Sequence, residues 1–532
     1  MKKIFALLLV ALMLLPCIAS CGGGGSTVNN DDEDYTLPVG SINSRDEYLK
    51  DDAERTKEWD GKTLKILATV WTRGADPAAP WSQAELTIKA EDMKEYMSYD
   101  DEQLAATEAL DLGFGRIINT SMIKRQKLIK EVYGVDLQWT NSKDNMISNI
   151  ITENMANPAG EKYHIAMPRM HEAQTLVGNK CLFNLANSPS IDLNKSYFSQ
   201  IARESYSVAG NTYYVAGDFS FLDEQTSHLI FFNIAMLENA NILTNLYRKV
   251  ENGEWTIDEM LSYARRTDFF GDTDGKTGMT DADTYGFAAT GLAHYFQATG
   301  IQQVTVNSVT GEYQISLNNN NGIVDKLIDI RKAEYARTSW EGGYGAMEKA
   351  FGDGRLLFYD EVVQKFDQIK QTANLKIGVL PMPKVNADQE SYYSPCTYQS
   401  ALLCVPKTTP SKRMSTYFLD VLSWTGQEYI MGYTVNEDGE RETNGEGYYA
   451  DLATKVSDYK TKGDTLKIIT DYVFPNLCYD VGYMHGWDGL MTSVQNDSFS
   501  GDENKFETAY DGVYENAAAI LTEWNSNWKG GK

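Results

Sequence analysis

From Lys62 onward the chain alternates short, continuously apolar runs with longer amphipathic ones, and this alternation limits the possible folds more than any other feature. LKILATV at 64–70 reads as a strand buried on both faces. Ile118, Met122, Ile129 and Val132 then mark one face of a helix that Gly134 ends. VDLQW follows as a second strand, 144–156 as a second helix and 163–167 as a third strand. Strands alternating with helices imply an α/β fold built on a parallel sheet with both faces covered. Such sheets bind ligands at the carboxyl ends of their strands, near helix N-termini. Trp71, Arg73, Asn119, Arg169 and His171 fall at those ends.

A second region opens near His228, where HLIFFN reads as a strand running into a short helix from Ile234. Helices are predicted over 256–267 and 323–335, and strands over 355–359, 375–383 and 401–405. The last hundred residues read as mostly helical, and no internal repeat is evident.

The chain has 532 residues and a formal charge of −26, which suggests more than one domain and argues against a nucleic-acid partner. At the N-terminus, Lys2 and Lys3 precede the apolar run IFALLLVALMLLP, a pattern that predicts a signal peptide over 1–20. The following Ile18-Ala19-Ser20-Cys21 resembles the lipobox of bacterial lipoproteins, which implies an acylated Cys21 (a palmitate-type anchor). Residues 21–59, beginning with four glycines, are too polar to fold alone and are predicted to be a tether and lead-in. Cys181, Cys396, Cys404 and Cys478 are too few for a disulfide framework and are expected as scattered, mostly buried thiols.

EWTIDEML at 254–261 begins as a capping box, with Thr256 before a helix and Glu259 three residues on. It is followed or preceded, in order, by YHIAMPRMHEA (from 163), YYVAGDFS (213), DADTYGF (281), FGDGRLLFYDE (351), IGVLPMPK (377), ALLCVPKT (401) and NLCYDVGYMHGWDGL (476). Together these segments resemble the family 1 extracellular solute-binding proteins, receptors of ABC importers, in the lipoprotein form of Gram-positive anaerobes. The resemblance spans about residues 60 to 525. It implies a two-lobed, periplasmic-binding-protein-like fold (type II) with hinge crossings and a ligand cleft between the lobes. It also places 60–220 and 350–385 in the N-terminal lobe, and 221–349 and 386–532 in the C-terminal lobe.

In such a receptor the 10 Trp, 32 Tyr and 19 Phe gain a functional reading. Sugars offer flat C–H faces beside hydroxyls, which aromatic platforms with nearby carboxylates or amides suit. The candidates are Trp71, Arg73, His171, Asp218, Trp340, Tyr344, Tyr359, Tyr398 and Trp487. Trp340 and Tyr344 lie in the Gly-rich SWEGGYGAM, which lets a ligand approach the backbone, and Tyr398 lies at an expected crossing. GDTDGKT at 271–277 departs from a phosphate loop in spacing and is acidic. Asp272, Asp274, Asp281 and Asp283 offer a calcium alternative, but Lys276 and Thr277 stand where an EF-type loop needs other residues. A solvated turn is the simpler reading, so no metal or cofactor is expected.

Function classes divide accordingly. The first is a non-enzymatic, monomeric receptor, lipid-anchored on the extracytoplasmic face of the cell membrane, that passes a sugar or oligosaccharide to ABC permease subunits. The rivals are an exported carbohydrate-active hydrolase using paired carboxylates, and a sensing or adhesion protein on the same fold. No HExxH or GxSxG motif and no Cys–His arrangement of known spacing favours an enzyme.

Overall fold

The computed structural model describes residues 58–69, 95–108, 115–142, 147–242, 245–269, 271, 283–289, 291–292, 294–333, 344–366, 369, 376–436, 441–456, 462–484, 494, 497 and 503–529. The predicted signal peptide, Cys21, Trp71, Arg73, Trp340, Trp487, Asp272, Asp274 and Asp281 lie outside them, as does the side chain of Tyr344.

The first sheet follows the predicted alternation. Strand β1 (Thr63–Thr69) leads to helix α1 (Arg116–Tyr133), strand β2 (Asp136–Ser142), helix α2 (Ile147–Ala156) and strand β3 (Ile165–Met167). The order is β2-β1-β3 and both pairings are parallel. Gly134 ends α1 in the left-handed conformation (φ 67°), where its amide bonds back to Lys130 O. Ile118, Met122 and Ile129 are fully buried, so the stripe read from the sequence is the packed face.

The second sheet is mixed. After helix α3 (Leu222–Gln225) come strand β4 (His228–Asn233), helix α4 (Ile257–Ala264), strand β5 (Tyr285–Ala289) and helix α5 (His294–Ala298). Helix α6 (Ile323–Ala333), strand β6 (Leu356–Val362) and strand β7 (Ile377–Pro381) follow. The order is β7-β4-β6-β5, with β4 antiparallel to both neighbours and β6 parallel to β5.

These pairings correct the expected lobe boundaries. Residues 350–385 do not join the first sheet, because β6 and β7 flank β4 in the second. Conversely, residues 401–406 bridge Ala166, Arg169, Leu182 and Val215, all on the first-sheet side. Helix α7 (Lys412–Thr425) then buries Met414, Phe418 and Leu422 in the same core as Leu64 and Ile66 of β1. The rings of Trp59 and Tyr417 stack there at 6.4 Å. The 386–532 segment is therefore shared between the sheets. Helix α8 (Gly447–Lys455) packs against α1, and the terminal helix α9 (Tyr514–Lys529) buries Trp524 and Trp528.

The EWTIDEML motif has a structural job. Trp255 is fully buried and its indole N–H donates to Pro381 O at 2.9 Å, tying α4 to β7. Thr256 Oγ1 caps α4 by accepting from Glu259 N, whereas the Glu259 carboxylate faces Tyr263 and Lys249. All four remaining cysteines are buried free thiols.

Candidate functional site

Two short passages connect the sheets among the described residues, one at 218–227 and one at 386–400. They run side by side. Ser227 bridges Cys396, Thr397 N–H donates to Thr226 O at 3.2 Å, and the Thr226 and Ser400 hydroxyls meet at 2.8 Å. Segment 477–484 lies against them, with Cys396 N–H donating to Cys478 O at 3.0 Å. Asp223 ties the bundle together: Tyr479 Oη donates to its Oδ2 at 2.8 Å and Ala401 N–H also bonds it. Burial pushes its carboxyl up against those two bonds.

At the carboxyl end of the first sheet, β3 runs into Pro168, Arg169, Met170 and His171. Met170 N–H donates to Ser400 O at 3.0 Å and Leu402 N–H to Pro168 O at 2.8 Å, so this turn is laced to the second passage. His171 thereby meets Tyr398 edge-on at 5.7 Å, and Tyr398 meets Tyr483 at 6.4 Å. Tyr398 is 46% exposed, an unusual state for a tyrosine ring supported on two sides. The Asp480 carboxylate fixes the turn carrying Tyr483, accepting from Gly482 N, Gln303 N and Gln297 Nε2.

On the first passage, Glu224 and Gln225 are buried, yet Glu224 Oε2 and Gln225 Oε1 make no hydrogen bond within the protein. Burial, then the neighbouring Asp223 and Asp218 carboxyls, push the Glu224 carboxyl well up. A buried polar atom without a protein partner is met by water or by a bound molecule. The residues went unsingled in the sequence, although the polar run DEQTS between two apolar strands was a legible signal of a passage.

At the matching end of the second sheet, the first residue of β4, the first of α5 and one from the carboxyl end of β6 converge. His228 Nδ1 lies 3.1 Å from Asp360 Oδ1, and His294 Nε2 lies 2.6 Å from Asp360 Oδ2. The two imidazoles stack at 3.8 Å. Burial alone would raise the Asp360 carboxyl, but the two rings outweigh it and hold it at about 2. Burial and then His294 push His228 down. Nothing in the sequence spacing announced this cluster.

Other candidates are placed elsewhere. Tyr359 is fully buried inside β6, with its hydroxyl on Glu361 at 3.3 Å, and is core rather than a ligand platform. All seven residues of β6 are buried, so neither face of this strand reaches solvent. Asp218 is buried and Oδ2 accepts from Tyr433 Oη at 2.6 Å and Gln427 Nε2 at 3.2 Å. Asn119 is buried within α1 and Arg169 beneath the passage. Asp283 is buried beside β5, and its Oδ2 accepts from Tyr285 Oη at 3.3 Å. A separate open cavity of about 830 Å³, lined by Asp192, Arg203, Glu204 and Thr305 among others, contains none of the candidates. The passages, where unpartnered polar atoms and an exposed supported ring coincide, are the better site. No helix among the described residues is long and apolar enough to cross a membrane.

No known family profile matches the chain, and neither does any curated protein. Its structural neighbours are sugar-binding ABC substrate-binding proteins. An ABC substrate-binding protein from Listeria monocytogenes in complex with cycloalternan aligns at 11% identity and a TM-score of 0.48, over 87% of this chain and 100% of that one. A cyclo/maltodextrin-binding protein complexed with maltotetraose aligns at 12% identity and 0.49, over 88% and 97%. A solute-binding protein from Thermotoga lettingae bound with α-D-tagatose gives 14% and 0.45, over 86% and 100%.

Proposed function

We propose that this chain is a lipid-anchored, extracytoplasmic receptor that captures a small carbohydrate and delivers it to an ABC-type importer without chemically changing it. The observation that carries the reading is the aromatic group His171–Tyr398–Tyr483 beside the passages joining two α/β sheets. An exposed, supported Tyr398 ring offers a face to sugar C–H groups, while Gln399 beside it and the unpartnered Glu224 Oε2 offer hydrogen bonds to hydroxyls. The order of the sequence segments supports the receptor class, and Ile18-Ala19-Ser20-Cys21 supports the anchor. Trp71, Arg73, Trp340, Tyr344 and Trp487 are proposed to complete the cleft.

The test is a thermal-shift screen against mono- and oligosaccharides, polyols and peptides, followed by calorimetric titration of the best ligand. Tyr398→Ala should weaken binding roughly ten- to a hundredfold, since an aromatic anchor is worth about 1–3 kcal/mol. The melting temperature should not move. Unchanged affinity removes Tyr398 from the site, and multiple turnover of the bound sugar overturns the receptor reading. Cys21→Ala should abolish labelling by a fatty-acid analogue, and normal labelling would refute the anchor.

A further inference from the structure

The cluster at the carboxyl edge of the second sheet is used by nothing argued so far. The chain has five histidines, and two of them, His228 and His294, point at one carboxylate. They arrive from different elements, β4 and α5, while Asp360 comes from β6. His228 Nδ1, His294 Nε2 and an Asp360 oxygen lie within 4.8 Å of one another, and all three residues are buried. The histidines are 7% and 8% exposed, and Asp360 is at 0%.

We infer that His228, His294 and Asp360 form a binding site for one divalent transition-metal ion of the zinc class. Two neutral imidazoles and one carboxylate are the donor set that zinc-type ions take, with a further position left for water or another oxygen. Metal–ligand bonds of about 2.0–2.2 Å in tetrahedral geometry separate neighbouring donor atoms by about 3.3 Å. His228 Nδ1 lies 3.1 Å from Asp360 Oδ1 and His294 Nε2 lies 2.6 Å from Oδ2, so the carboxylate must turn to give one oxygen to an ion held by both rings. The rings stack nearly parallel, at 3.8 Å and 21°, so at least one must rotate for both nitrogen lone pairs to meet one ion. The donor set carries one negative charge, which a divalent ion more than neutralises. Soft thiolates are absent from the cluster, and the four buried cysteines are placed elsewhere.

This inference does not depend on the receptor reading, because the experiment contains no solute. The full chain is stripped with a chelator and dialysed against Zn²⁺, and bound metal is counted by elemental analysis. One ion per chain is expected. His294→Gln and Asp360→Asn should each lower affinity at least a hundredfold, since even loss of a residue that merely supports a ligand costs about 10–100-fold. Cobalt substitution of the unaltered protein should give the visible spectrum of a nitrogen- and oxygen-bound ion without a thiolate charge-transfer band. That measurement decides the matter if the variants do not fold. Absence of stoichiometric metal, retention of affinity in a folded variant, or a thiolate band would each overturn the site.

Discussion

At the scale of single residues, burial decides which polar and aromatic groups can serve a ligand. Tyr359 and Tyr398 read alike in the sequence, yet one has no exposed surface and the other is 46% exposed. Tyr359→Ala should therefore cost about 3–5 kcal/mol of stability in urea denaturation, the range for large core aromatics. Asp218 offers a second test. Burial raises its carboxyl to about 6, against the Arg441 charge and the bonds from Tyr433 and Gln427. A folded-state value above the ordinary carboxylate range near 4 means that the unfolded chain releases its proton first. The stability this group confers is complete below about pH 4 and is lost as pH rises through about 6. Unfolding free energy should fall across that window, and Asp218→Asn should remove roughly 2–3 kcal/mol of the fall. Equal slopes in the two proteins would show that Asp218 does not titrate there.

At the scale of elements, what could be read from the sequence was local. α1 was legible because its apolar stripe and the Gly134 terminator are both set by the chain itself. The strand character of β4 and β6 was legible from continuous apolar runs. Which sheet each strand joins was not, because a strand buried on both faces carries the same pattern wherever it pairs. That is why 350–385 was expected beside β1 and lies beside β4 instead. The capping box was half legible: Thr256 caps, but side-chain contacts draw Glu259 toward Lys249 and Tyr263. Thr256→Ala should cost about 1 kcal/mol, the usual worth of an N-cap. Gly286→Ala in β5 should cost more, because an added Cβ would stand 1.8 Å from Ala264 O at the end of α4. β5 or α4 must then shift, and overpacking of this kind typically costs about 1–3 kcal/mol or more. Paired urea titrations rank the two, and an equal or smaller loss for Gly286→Ala would show that the contact yields freely.

At the scale of the whole molecule, the site residues are close only because the passages are. His171, Tyr398 and Tyr483 are scattered over more than three hundred positions, and no local pattern in the sequence states their proximity. Side-chain and backbone bonds between 226–227 and 396–400 hold the two passages together. Closure about such short connections is the expected response to a ligand that touches both sides. Small-angle scattering should therefore show a smaller radius of gyration at saturating sugar. At that same sugar concentration Tyr398→Ala should give a value between the unliganded and closed ones, because it binds roughly ten- to a hundredfold more weakly. At correspondingly higher sugar it should reach the same closed value, since its passages and their hydrogen bonds are untouched. Saturation by calorimetry with no change in scattering would mean a rigid receptor, and the hinge reading of the two passages would have to be abandoned.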